Sequence, residues 1–232
     1  TEFVQSTYLP WSRANKRSSS DDEFHAKVFC RHFGNKNLSE IDHQMIEEFK
    51  IKRMQSITRY GRTRKPASVN RELAILSAIF RMAVDYDEVP QNPCRKVQLL
   101  PENNQRTRHL SFEEEHRLFA EMTGEREYLR ALVTVAIYAG PRRGELLKLR
   151  WANVDFDLNT ITFKETKTNK DRSVPMEPIV RMALLELREG AGDAEYVFVN
   201  PDTGTRYTDV KKSFSAACRK AGITDFRFHD LR

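Results

Sequence analysis

The chain has 232 residues, of which 31% are charged and 39% hydrophobic, and it carries a net charge of +6. That length serves two modest domains, each able to bury a core, and no apolar run approaches the ~20 residues of a membrane span. Cys30, Cys94 and Cys218 are odd in number and widely spaced, which excludes a disulfide framework and a zinc spacing and leaves reduced thiols in the cytoplasm as the expectation.

Thr1 to Thr7 are polar and carry no signal-peptide pattern, and the first residue is not Met, so the chain is expected to be cut at the front as well as the back. A first helix is predicted over Asp21 to Phe33, with acids at its start and Gly34 as its stop. His25, Cys30 and His32 within it lack a fourth partner and read as packing and surface residues, not metal ligands. A second helix spans about 42–56, with Met45, Ile46, Phe49 and Met54 on one broad face. Tyr60 to Pro66 is a basic loop rich in helix breakers. Ser68 is expected to cap a third helix, whose stripe of Val69, Leu73, Leu76, Phe80 and Ala83 faces a core and which Pro90 and Pro93 terminate. Residues 1–95 thus read as a helical bundle, and the polar, aperiodic stretch 96–110 as a linker.

The remainder, 111–232, opens with Ser111-Phe112-Glu113-Glu114, a capping box. Helices follow over about 112–122 and 126–139, the second mostly apolar; Gly140-Pro141 breaks it, and a short helix resumes near Arg142. The period then changes. Thr160–Phe163 and Arg172–Pro175 read as strands joined by a polar turn at 166–171, and Tyr196–Val199 as a short third strand. Further helices are expected over about 177–189 and 208–221. The fold class is mainly α with a small antiparallel β-sheet.

The excess charge is uneven: residues 1–110 hold 19 Lys and Arg against 13 Asp and Glu, whereas residues 111–232 hold 20 of each. Lys50, Lys52, Arg53, Arg59, Arg62, Arg64, Lys65 and Arg71 fall in one stretch without an acid. Such a stretch suits a polyanion such as DNA, although a solvated helix face with a basic loop has the same composition.

Several residues in the second half could carry chemistry. Arg142 follows the helix break, and Glu145 lies three residues on, where it can hold the guanidinium. His229 and Arg232 share the same spacing, so a helix would set both on one face toward one anion. Arginine suits a phosphate because its planar fork donates two parallel hydrogen bonds and stays charged. Lysine or histidine can deliver a proton. Lys167 stands at the predicted hairpin tip, with Lys164 and Lys170 as competitors. Each of these motifs alone also fits an ordinary surface pair.

Together, Ala139–Phe156 (AGPRRGELLKLRWANVDF), Lys164–Pro175 (KETKTNKDRSVP) and Phe226–Arg232 (FRFHDLR) resemble the first arginine box, the lysine hairpin and the His-x-x-Arg box of the tyrosine recombinase, or phage integrase, family. Ser68–Pro93 resembles the last helix and exit of that family's core-binding domain. The resemblance implies a helical core-binding (SAM-like) domain over 1–95 and a catalytic domain over 111–232, truncated at its C-terminus. It implies a site-specific recombinase of the kind mobile elements carry, which breaks and rejoins duplex DNA through a 3′-phosphotyrosyl intermediate. Arg142 and Arg232 would bind the scissile phosphate. Lys167 would protonate the leaving 5′ oxygen, His229 would assist, and Glu145 would support the site. No metal or other cofactor is implied. Duplex DNA is the implied partner, with a homotetramer on DNA in the full-length protein.

The departures shape the expectation. All seven tyrosines precede the His-x-x-Arg box, so none stands in the nucleophile's place, and the family's later His or Trp is absent. Pro141 replaces a larger apolar residue found in many members, and no arm-binding domain is visible. These 232 residues are therefore expected to bind DNA without cleaving it. A non-catalytic DNA-binding accessory protein of the same fold is the alternative; a type IB topoisomerase or telomere resolvase shares the chemistry but fits the helical first half less well.

Overall fold

A computed structural model describes residues 2–34, 36–103, 105–164 and 171–232. The chain divides into two compact units, Thr1–Gln105 and Arg106–Arg232. Mainly helical elements and one three-stranded antiparallel sheet make up the described fold, in accord with the expected class. No helix among the described residues is long and apolar enough to cross a membrane.

The first unit packs α1 (Leu9–Asn15), α2 (Ser19–Phe33), α3 (His43–Gln55) and α4 (Pro66–Asp85) around one apolar core. The predicted stripe of α4, Val69, Leu73, Leu76, Phe80 and Ala83, is buried throughout. The start of this helix differs from the expectation: Pro66, not Ser68, opens it, because the fixed φ of proline suits the first turn and its missing N–H needs no partner there. Asp42 caps α3 by accepting the Met45 N–H at 2.9 Å. Helix α1 was not anticipated. It is held by a buried polar cluster in which Asp22 accepts hydrogen bonds from Tyr8 (2.9 Å), Ser12 (2.6 Å) and Lys16 (2.7 Å). Three donors on one buried carboxylate satisfy a charge that would otherwise be costly to bury.

The second unit surrounds α6 (Tyr128–Ala139), whose Leu129, Leu132, Val133, Val135 and Ala136 are buried. Around it lie α5 (Phe112–Ala120), α7 (Arg143–Leu146), α8 (Pro178–Glu189) and α9 (Lys211–Lys220). The capping box at α5 is formed as predicted, with Ser111 and Glu114 exchanging side-chain to backbone hydrogen bonds. The sheet runs in the order β1 (Val154–Asp155), β2 (Thr160–Phe163), β3 (Arg172–Pro175), with Ile161 opposite Val174 and Phe163 opposite Arg172. Ile161 and Phe163 point into the core, whereas Thr162 meets Ser173 by a hydroxyl contact of 2.8 Å on the other face.

Tyr196–Val199, expected as a strand, forms only two isolated bridges, Tyr196 to Arg150 and Val199 to Arg206. The segment changes partner midway, so no continuous ladder can build. The ends of the stretch expected as a linker are hydrogen-bonded to the unit beside them. Asn70 donates to the Leu100 carbonyl at 2.8 Å in the first unit, and Arg108 donates to Glu114 at 2.8 Å in the second.

Candidate active site and basic segment

Helix α6 ends where Gly140 takes the left-handed conformation, at φ 57° and ψ 38°. That turn delivers Pro141 into the interior and sets Arg142 at the N-cap of α7. Glu145 then folds back on Arg142. One carboxylate oxygen accepts the Arg142 backbone N–H at 2.9 Å, and the other accepts its guanidinium at 2.8 Å. The Glu145 side chain is only 4% exposed, while that of Arg142 is 38% exposed. Burial by itself would raise the Glu145 carboxyl, but the Arg142 hydrogen bonds and the nearby Arg172 charge hold it below the usual carboxylate range.

Arg172 reaches the same place from β3. Its guanidinium lies 3.6 Å from Glu145 and 3.4 Å from the Gly140 carbonyl, and 5.2 Å over the Phe163 ring. This residue escaped the sequence reading, although a signal was present. It is paired opposite the inward-facing Phe163, and opposite residues of antiparallel strands share a face.

His229 lies in a short segment, Phe228–Leu231, that is 3₁₀ rather than α, and Arg232 follows it as the C-cap residue. With three residues per turn, positions three apart eclipse one another. Phe228 and Leu231 are anchored in the core, and His229 and Arg232 are exposed. The turn is fixed by Asp230, which accepts the Arg227 N–H at 2.9 Å and the Arg106 guanidinium at 2.7 Å. Arg106 also donates to the Asp225 carbonyl at 2.8 Å. Burial pushes the Asp230 carboxyl up, and these hydrogen bonds more than reverse the effect. Arg106, read as linker from sequence, is thus a clasp on the turn that presents His229 and Arg232.

The two arginine motifs meet at Gly140. A methyl group placed on that glycine would lie 3.8 Å from Cγ of Arg232. The Arg232 stem therefore passes over the residue that turns the chain into Pro141-Arg142, and Arg172 binds the carbonyl of that same residue. Lys167 and Lys170 lie outside the described residues. Lys164 is exposed at the end of β2 and lines a cleft of about 470 Å³ with Glu145, Thr162, Tyr196 and Arg206.

The eight cations of the stretch Lys50 to Arg71 separate into two groups. Lys50 donates to the Gln98 carbonyl at 2.9 Å and pairs with Glu47. Arg53 grips the buried Glu72 with two bonds of 2.5 and 2.7 Å, and Arg64 bonds Ser56 at 2.9 Å and reaches Glu72 at 3.4 Å. Those three serve the fold. Lys52, Arg59, Arg62, Lys65 and Arg71 are exposed.

Comparison with known proteins adds a family to this geometry. Over 230 residues the chain is 26% identical to the shufflon-specific DNA recombinase of Escherichia coli, covering 97% of this chain and 58% of that protein. It is 25% identical to the ICEBs1 integrase of Bacillus subtilis, over 89% of this chain and 61% of the relative. The chain thus spans about three fifths of these relatives. Two solved structures share its fold at low identity. A lambda integrase dimer bound to a core site has a TM-score of 0.79 and 18% identity, over 97% of this chain and 83% of that one. The Tn1549 transposon integrase bound to transposon right-end DNA has a TM-score of 0.78 and 16% identity, over 97% and 82%. Residues 108–232, more than half of the chain, match the model of the phage integrase family; the chain belongs to that family.

Proposed function

We propose that the protein is a site-specific DNA recombinase whose second unit grips one phosphate of duplex DNA between Arg142 and Arg232. The observation that carries this reading is the seating of the Arg232 stem against Gly140, two residues from Arg142 in the chain. Two guanidinium groups of different elements can neutralise the non-bridging oxygens of a pentacovalent phosphorus. His229, three residues before Arg232, hydrogen-bonds the same phosphate. Lys167 protonates the leaving 5′ oxygen, and Glu145 orients Arg142. In the full-length protein a tyrosine attacks phosphorus, the 5′ oxygen leaves with a proton, and the 3′-phosphotyrosyl bond stores the energy for rejoining. The first unit is a core-binding domain that holds DNA through its exposed cations, and the full-length protein works as a homotetramer on DNA. The relatives named above as recombinases and integrases support this reading.

The seven tyrosines of these residues all precede Thr208, so the 232-residue chain itself should bind duplex DNA without forming a covalent adduct on a nicked substrate. Binding isotherms for Arg142→Ala, Arg232→Ala and the double variant test the shared phosphate. Two residues on one anion lose affinity non-additively, whereas additive losses would assign them to separate contacts and refute the site. A covalent band from this chain would refute the statement on the nucleophile.

A further inference from the structure

Ile57 to Thr63 closes a small hairpin that overlaps the basic loop expected over Tyr60 to Pro66. Ile57 bridges Thr63, the Thr58 N–H donates to the Arg62 carbonyl at 2.8 Å, and the Gly61 N–H donates to the Thr58 carbonyl at 2.9 Å. Gly61 adopts φ 72°, the left-handed residue that three-residue hairpin loops require. The base is pinned, since Arg64, just beyond it, is bonded to Ser56 and Glu72. What the hairpin presents is unusual for a surface turn. Tyr60 is 72% exposed and Ile57 66% exposed. The Arg59 guanidinium lies 4.7 Å over the Tyr60 ring and donates to its hydroxyl. Arg59 and Arg62 are themselves exposed, and the sequence holds no acid from Lys50 to Arg71.

A pinned two-stranded ribbon tipped by an aromatic ring and planar cations is complementary to a polyanion with apolar features in a groove. Paired strands are ~5 Å apart, and with side chains the ribbon needs the major groove, ~12 Å wide, because the minor groove of ~6 Å is too narrow. Resting on the DNA-binding reading above, we propose that the hairpin Ile57–Thr63 enters the major groove tip first, with Tyr60 and Ile57 against base edges and Arg59 and Arg62 on the flanking phosphates. Arg53 and Arg64 stay behind as its mounting, Lys50 is held by Glu47 and the Gln98 carbonyl, and none of the three touches DNA.

The test uses the 232-residue chain and a duplex that it selects from a random pool. Affinity is read by fluorescence anisotropy across a salt series, and groove occupancy by methylation of guanine N7 with dimethyl sulfate. Tyr60→Ala should bind about tenfold more weakly at every salt concentration with an unchanged log–log slope, since the ring displaces no counterions. Tyr60→Phe should recover most of that loss. Arg62→Ala should instead flatten the slope by about 0.9. Guanines under the hairpin should be protected by the wild-type chain and react in the Tyr60→Ala, Arg62→Ala double variant. Because Tyr60 is exposed, unchanged melting of Tyr60→Ala confirms an intact fold. If the wild-type chain binds its duplex with a steep salt slope but Tyr60→Ala matches it, the hairpin proposal alone is overturned. If the wild-type chain selects no duplex at any salt, the DNA reading itself fails and takes the hairpin with it.

Discussion

Replacing Glu145 by glutamine keeps the size of the side chain and removes its charge, so it isolates what the buried carboxylate does. The carboxylate accepts the Arg142 N–H and the Arg142 guanidinium on separate oxygens, with Arg172 3.6 Å away. An amide offers one oxygen and turns an N–H₂ toward the other donor, so one charge-assisted bond is lost. Such bonds contribute roughly 1.5–3 kcal/mol. The released guanidinium is 38% exposed and regains water, which places the cost near the lower end, about 2 kcal/mol. For a unit of this size that lowers the melting temperature by ~6–10 °C.

The pH dependence makes the test sharper. The folded-state pKa of Glu145 lies below the ordinary carboxylate value. A depressed carboxyl contributes stability that is fully present above the unfolded pKa, near ~4.3, and is lost as pH falls through the folded value. The gap between wild type and Glu145→Gln should therefore be widest at neutral pH, shrink below about pH 4, and close once the native carboxyl is protonated. Thermal and urea unfolding of the second unit can be followed by Trp151 fluorescence in a Trp11→Phe background, because these are the two tryptophans of the chain and each unit holds one. Equal stability at neutral pH, or a gap that persists unchanged into acid, would refute the assignment of Glu145 as an ionised counter-ion shared by two arginines.

Further outcomes follow from the same structure. Arg53→Ala should destabilise the first unit by about 3–5 kcal/mol in urea melts, because it leaves the 1%-exposed Glu72 side chain without its bidentate partner, while Lys52→Ala should change stability by less than ~0.5 kcal/mol and act only on the salt dependence of DNA binding. Gly140→Ala forces an L side chain to φ 57° and should cost about 1–2 kcal/mol by calorimetry, from backbone strain rather than from a clash, since the nearest atom leaves room. Burial pushes the Cys94 thiol up to about 12 and the Cys218 thiol up to about 11. Both should resist iodoacetamide at about pH 8 and label only when urea opens the fold, as mass spectrometry of alkylated peptides would record.

Much of this was legible in the sequence where one residue acts on its near neighbours. The stripe of α4, the capping box at Ser111 and Glu114, the Gly140 break and the Arg142–Glu145 pair all depend on spacings of a few residues, and each is formed. The helix expected at His229 is a short 3₁₀ turn that ends at Leu231, with His229 and Arg232 both exposed. What escaped depends on partners far along the chain. Arg106 holds Asp230, 124 residues away, and Arg172 meets the Gly140 carbonyl across 32 residues. Helix α1 was hidden because it is short and joins Leu9, in the apolar core, to Ser12, whose buried partner is the polar Asp22 ten residues on.

The cationic stretch illustrates why composition alone misassigns roles. Eight positive residues without a local acid look interchangeable, yet Glu72, just past the stretch, neutralises Arg53 and Arg64 from the next helix. Glu145 stands between Arg142 and Arg172 in the same manner in the second unit. A buried carboxylate shared by two arginines is expensive to desolvate and gives little net stability over an apolar packing. Its physical effect is geometric, because each guanidinium loses rotational freedom and is aimed before any ligand arrives. In the first unit that device fixes the base of the Ile57–Thr63 hairpin. In the second it fixes Arg142, two residues beyond the Gly140 on which the stem of Arg232 rests. The desolvation cost of each glutamate is therefore matched to preorganisation, and removing either should loosen the guanidinium groups that it holds.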